Sequence, residues 1–198
     1  MNGLRESAES AAAALSEAEK KRDLAIAESR IIIRLSKNVI HAIHVGSDHA
    51  DASKEMRDRV AKLVSSLEGD PLLFTSASDA LMEFAEAEIL DDVVSSRPIR
   101  GHSQMGITPQ SWVMGLADSI GEIRRVIVTC LMSGDTARAK SLFSAMEEIT
   151  EELMLFDVPD GVVQLRRKQD VARGITEKTR SDMLNACSEY NIKEKRRP

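Results

Sequence analysis

Between Leu4 and Val45 the chain contains neither glycine nor proline, and this stretch limits the fold more than any other. Those two residues cost a helix interior most, about 1 and 3 kcal/mol relative to alanine. The later part carries Leu24, Ile31, Leu35, Val39 and Ile43 on helical steps. The pattern predicts one helix over Leu4–Val45. Such a helix outruns what one small domain can cover, so it must pack along other long helices or another subunit. Residues 1–20 are Ala- and Glu-rich and are expected to fray. Gly46 and Ser47 end the helix, and Ser47 or Asp48 can cap the next.

The remaining chain reads the same way. Met56, Val60, Leu63, Val64 and Leu67 form the stripe of a helix over Ala50–Leu67. Gly69 to Pro71 should stop it. A third helix is expected over Ser76–Val94, capped by Ser76 or Ser78. Ser95 to Gln110 holds Pro98, Gly101, Gly106 and Pro109 and reads as a mobile loop. Pro109 suits the first position of a fourth helix, running to about Met132. Asp135 caps a fifth, Thr136–Phe156. A last long helix is expected over Val162–Tyr190, then a charged mobile tail, residues 191–198. No stretch alternates as a strand should and no repeat is visible. The expected fold class is all-α: one domain, 1–198, a bundle of six to seven long helices.

Composition agrees. Hydrophobic residues are 42% and charged residues 30%, the balance of a globular protein. Aromatics are only 3%, which disfavours a large sheet. No window holds the roughly 20 apolar residues of a membrane span. The N-terminus lacks the basic-then-apolar order of a signal peptide, so a cytoplasmic protein is expected. Cys130 and Cys187 lie outside any zinc spacing and read as buried apolar residues. The net charge of −5 means that any nucleic-acid surface must be local.

Two pairs of carboxylates stand out. Glu83 and Glu86 are three apart within an apolar stretch, so they share a helix face. Like charges at that spacing repel unless a cation sits between them, or unless water simply screens a surface pair. Asp118 and Glu122 are four apart on a deeply placed helix with Gly115 and Gly121. Glycines there mark close helix contact or room for a ligand. Arg124 or Arg125 could pair with these acids instead, giving a purely structural site. The Glu147, Glu148, Glu151, Glu152 run reads as a solvated face. Taken together, four carboxylates from two helices form an oxygen-rich set that suits Mg²⁺ or Mn²⁺ rather than zinc. A di-iron centre fails on spacing, because no His follows a Glu by three.

At these residues a resemblance enters. WVMGLADSIGEIRRVIV, from Trp112, resembles the GLADLTGELMR-like stretch of the translin superfamily. EFAEAE, Glu83 to Glu88, is similar to the EYVEA-like stretch of translin-associated factor X. RDLAIAESRIIIRLSKNVIHAIH, from Arg22, is similar to the family's basic long helix, and the residues from Val162 to Tyr190 match its last helix in character. The resemblance covers roughly residues 20 to 190. The segment before Arg22 has no counterpart, and the loop from Ser95 to Gln110 has its own composition.

Translin binds single-stranded nucleic acid without the full acidic set. Translin-associated factor X carries the acids and cuts single-stranded RNA with Mg²⁺. With acids at Glu83, Glu86, Asp118 and Glu122, this chain resembles the catalytic branch, in an archaeal-type translin-like form. The resemblance implies a hollow homo-oligomer, an octamer, with inward-facing sites. Single-stranded RNA is the implied partner and single-stranded DNA a further one. Glu83, Glu86 and Asp118 are expected to ligate the metal, with Glu122 completing the shell or orienting water. Arg30, Arg34, Lys37 and His41 form a basic stripe on the first helix, either a solvated face or the RNA backbone contact. Arg97 and Arg100 are weaker candidates. Trp112 and Tyr190 give no stacking platform, so sequence specificity should be weak. The alternative reading is a non-catalytic binding shell like translin.

Overall fold

The computed structural model describes residues 3–67 and 71–195, without the side chains of 71, 72 and 187–195. Seven helices follow one another: α1 (Leu4–Val45), α2 (Ala50–Leu67), α3 (Pro71–Val94), α4 (His102–Met105), α5 (Pro109–Ser133), α6 (Thr136–Met154) and α7 (Arg166–Lys195). No strand occurs among the described residues.

α1 is 42 residues long, which at 1.5 Å per residue is about 63 Å. Gly46 closes it in the left-handed conformation, its N–H meeting the carbonyls of Ala42 and Ile43. Asp48 accepts the Ala50 N–H at the start of α2. Packing begins only at Ala25 and continues through Ser29, Ile32, Leu35, Ser36, Val39 and Ile40. Leu24, expected on the stripe, is 71% exposed; Ala25 faces the core instead. Residues 4–24 form continuous helix, an arm whose side chains are almost all exposed.

α3 starts at Pro71, five residues before the expected Ser76. Ser76 and Ser78 therefore lie within the helix, and Ser78 Oγ bonds back to Thr75 O. Of the expected stop, Pro71 opens α3, while Gly69 lies outside the described residues. Thr108 and Asp135 cap α5 and α6 as expected, accepting the N–H groups of Ser111 and Arg138. α7 begins at Arg166 rather than Val162, because Pro159 leads into a turn closed by Val162 N–H and Pro159 O. It runs to Lys195, beyond Tyr190, so the expected tail is helical that far; 196–198 lie outside the described residues.

α3 is the central element. It packs on α1 on one side and on α5 on the other, with α2 also against α1 and α6 and α7 against α5. Leu81, Phe84, Ala85, Ile89 and Leu90 are all buried, so its apolar residues run round the helix rather than along one stripe. One contact sets how closely α3 meets α5. A Cβ added at Gly115 would lie 2.6 Å from Ala85 Cβ, 2.7 Å from Met82 O and 2.9 Å from Glu86 N. Only glycine lets α5 approach this part of α3, which carries Glu83 and Glu86.

Candidate metal centre and nucleic-acid interface

The close approach at Gly115 brings the two acidic pairs together. Asp118 follows Gly115 by three residues and Glu122 by seven, so both lie on the same side of α5. Glu83, Glu86, Asp118 and Glu122 are all partly buried. Their mutual field is felt at Glu86, whose carboxyl is pushed up to about 8. Burial is the first cause, and the charges of Asp118, Glu83 and Glu122 add to it, with Lys168 pulling the other way. Four partly buried acids from two helices thus lie close enough for Glu86 to feel the charges of the other three. Gly121 serves differently from Gly115: nothing lies within 4 Å of a Cβ placed there.

Two partners that the sequence did not reveal hold the α5 acids. Lys168, near the start of α7, places Nζ 2.5 Å from both Asp118 carboxylate oxygens. His44, at the end of α1, directs Nε2 at Glu122 Oε2, while its buried Nδ1 has no hydrogen-bond partner among the described residues. Of the two expected arginines, Arg124 turns away and Arg125 stays beside Glu122. Arg124 turns to Thr179 and Asp182 on α7, at 2.8 and 2.6 Å. Arg125 is largely exposed and only 3.9 Å from Glu122. The structural alternative was thus right that protein cations pair with these acids: Arg125 pairs with Glu122, while Lys168 and His44 are further partners it did not name. Among the described residues, no three or more His, Cys, Asp or Glu side chains are arranged so as to hold a metal ion.

Arg30, Arg34, Lys37 and His41 are all exposed on α1. None of the four pairs with an acid among the described residues. At 100° per residue, His44 continues the same stripe. Because His44 touches Glu122, the stripe runs from the acidic pocket outward; the eleven steps from His41 to Arg30 cover about 16 Å.

Arg97 and Arg100 are a correction. Both are used up by buried acids at the end of α3. Arg100 Nε and Nη2 each donate to Asp92 at 2.9 Å, and its Nη1 lies 2.5 Å from Glu88. Arg97 Nη2 donates to Asp91 at 2.6 Å, and Arg57 Nε to Glu88 at 2.9 Å. Burial alone would raise the Asp91 carboxyl, but Arg97 and His49 hold it below its ordinary value. Trp112 Nε1 donates to the Arg100 carbonyl at 2.9 Å, which pins the loop read as mobile. The acids Glu88, Asp91 and Asp92 could have been suspected, since they fall on the fully apolar helix. Cys130 is buried, and burial raises its thiol; the Cys187 side chain lies outside the described residues.

Comparison with known proteins places this geometry. The translin family model matches residues 72–179. An uncharacterised protein of Methanocaldococcus jannaschii is 33% identical over 170 residues, 84% of this chain and 76% of that protein. The structure of AfC3PO in complex with duplex RNA superposes with a TM-score of 0.82 at 31% identity, covering 91% of this chain and 96% of that one. A crystal structure of AfC3PO gives the same score and identity over 90% and 95%. Apo-NeC3PO, 20% identical, has a TM-score of 0.81 over 94% and 98%, a likeness of fold. No helix among the described residues is long and apolar enough to cross a membrane.

Proposed function

The chain belongs to the translin family, and on that premise we propose that it is a divalent-metal-dependent endoribonuclease acting on single-stranded RNA. The observation that carries the proposal is the gathering of four acids from α3 and α5, felt at the partly buried Glu86. Burial first, and then the charges of Asp118, Glu83 and Glu122, push its carboxyl up to about 8 although Lys168 pulls it down, so the cations present leave the cluster only partly balanced. A structural ion-pair network would have neutralised it, as the arginines do at Asp92. The all-oxygen donor set fits Mg²⁺ or Mn²⁺.

Glu83, Glu86 and Asp118 would hold the ion. When bound, it supplies charge neutralisation at the phosphodiester and lowers the pKa of water. Glu122, fixed by His44, orients the attacking water. The unpaired stripe of Arg30, Arg34, Lys37 and His41 carries the RNA backbone towards the pocket through phosphate contacts. Its adjacency to Glu122 through His44 supports that path, as does the RNA bound by AfC3PO, 31% identical. The family premise extends to assembly: a homo-octamer enclosing the sites, for which light scattering should return eight copies of the 21.8 kDa chain.

The deciding experiment incubates labelled single-stranded RNA with Mg²⁺ and wild-type protein, beside Asp118→Ala and an EDTA control. Cleavage by wild type, its loss in EDTA, and intact binding without cleavage by the variant are expected. A duplex RNA and a single-stranded DNA arm define the substrate class. The second reading is an RNA-binding shell without chemistry, favoured by the Lys168–Asp118 pair; RNA binding with no Mg²⁺-dependent products would establish it in place of the nuclease.

A further inference from the structure

Lys168 sits where its own helix does not favour it. The first turn of α7 holds Arg166, Arg167 and Lys168 and no acid, although the N-terminal end of a helix dipole repels cations. Arg166 and Arg167 turn to solvent, as expected for such charges. Lys168 alone turns inward. Its Nζ is 2.5 Å from each Asp118 oxygen and 3.9 Å from Met82 Sδ on α3. The paired side chains are only 24% and 30% exposed. The ammonium therefore reaches across from α7 to the α3–α5 pocket and engages both oxygens of one of its four carboxylates.

We infer that Lys168 is a tethered counter-ion of the acidic pocket, and that it and a divalent cation exclude each other at Asp118. The inference rests on the metal reading proposed above and goes beyond it by naming what the ion must displace. The reason is electrostatic and geometric. Both Asp118 oxygens already face the ammonium, so the carboxylate cannot ligate a metal until Nζ withdraws. A second cation at that point would also repel the first. One ammonium balances only one of four acids, whereas a divalent ion brings twice the charge to several oxygens at once. Lys168 thus partly screens the pocket without metal and scales the apparent metal affinity down to the fraction of molecules in which it is disengaged.

The test is titration calorimetry of Mn²⁺ into wild type, Lys168→Met, Lys168→Gln and Lys168→Arg, at one pH and salt concentration. Thermal unfolding verifies that each variant folds; if K168M does not, K168Q carries the comparison. The neutral variants should bind Mn²⁺ about tenfold tighter than wild type, and K168R no tighter than wild type. Binding by wild type with no tightening in the neutral variants overturns the inference and leaves the metal reading intact. Tightening in K168R equal to that in K168M also overturns it, because charge would then not be the cause. If neither wild type nor any variant takes up Mn²⁺, the metal reading itself is lost, and the inference with it.

Discussion

Replacing Glu86 by glutamine should stabilise the metal-free protein, and by an amount that grows with pH. The Glu86 carboxyl has an ordinary value of 4.5 and stands at about 8 in the folded chain. Between those two values the folded state holds a proton that the unfolded state has lost. Stability contributed by this group therefore falls as pH rises through that window. At about 1.36 kcal/mol per pH unit, the cost is near zero at pH 4.5, roughly 3 kcal/mol at pH 7 and approaches roughly 5 kcal/mol above pH 9. Glutamine keeps the shape and carries no charge, so Glu86→Gln removes the cost. Urea unfolding in EDTA at pH 4.5, 7 and 9, followed by circular dichroism, reads the difference directly. A gap between variant and wild type that is the same at all three pH values would refute the reasoning. So would a gap that narrows on going alkaline. Mn²⁺ at pH 7 should close the gap from the other side, by stabilising wild type and leaving the variant nearly unmoved.

Three further outcomes follow from the same geometry. Gly115→Ala should destabilise by about 1–3 kcal/mol, since its Cβ meets α3 backbone, while Gly121→Ala, with open space, should gain about 0.5–1 kcal/mol; opposite signs in denaturant unfolding check the pair. Arg100→Ala leaves Asp92 and Glu88 buried with one cation fewer and should cost about 3–5 kcal/mol, measured by the same unfolding. Lys37→Glu on the unpaired stripe should weaken RNA binding and lower the slope of log affinity against log salt by about 0.7–1. Fluorescence anisotropy across a salt series decides this, and an unchanged slope removes Lys37 from the interface.

Much of the fold was legible because helices are local. The breaker-free stretch from Leu4, the left-handed Gly46, the Thr108–Pro109 start and the Asp135 cap each act within a few residues, and all four appear where expected. The misses were also local in cause. Pro71 began a helix rather than stopping one, and Pro159 delayed α7 by four residues. The four acids could be picked out because three- and four-residue spacing puts carboxylates on one face of a helix.

What pairs with what could not be read in this way. Lys168 is 50 residues from Asp118, and His44 is 78 from Glu122; no periodicity links such positions. Arg97, Arg100 and Arg124 look in sequence like any other solvent-facing cations, yet Arg97 and Arg100 fold back on the acids that end α3 and Arg124 is claimed by Asp182 on α7. Sequence determined the helices, their ends and the faces they present, since backbone hydrogen bonds and capping are settled between near neighbours. Tertiary structure alone decided which charges are spent on one another and which stay free, because that depends on how closely α3 and α5 approach at Gly115 and on where α1 and α7 end beside them.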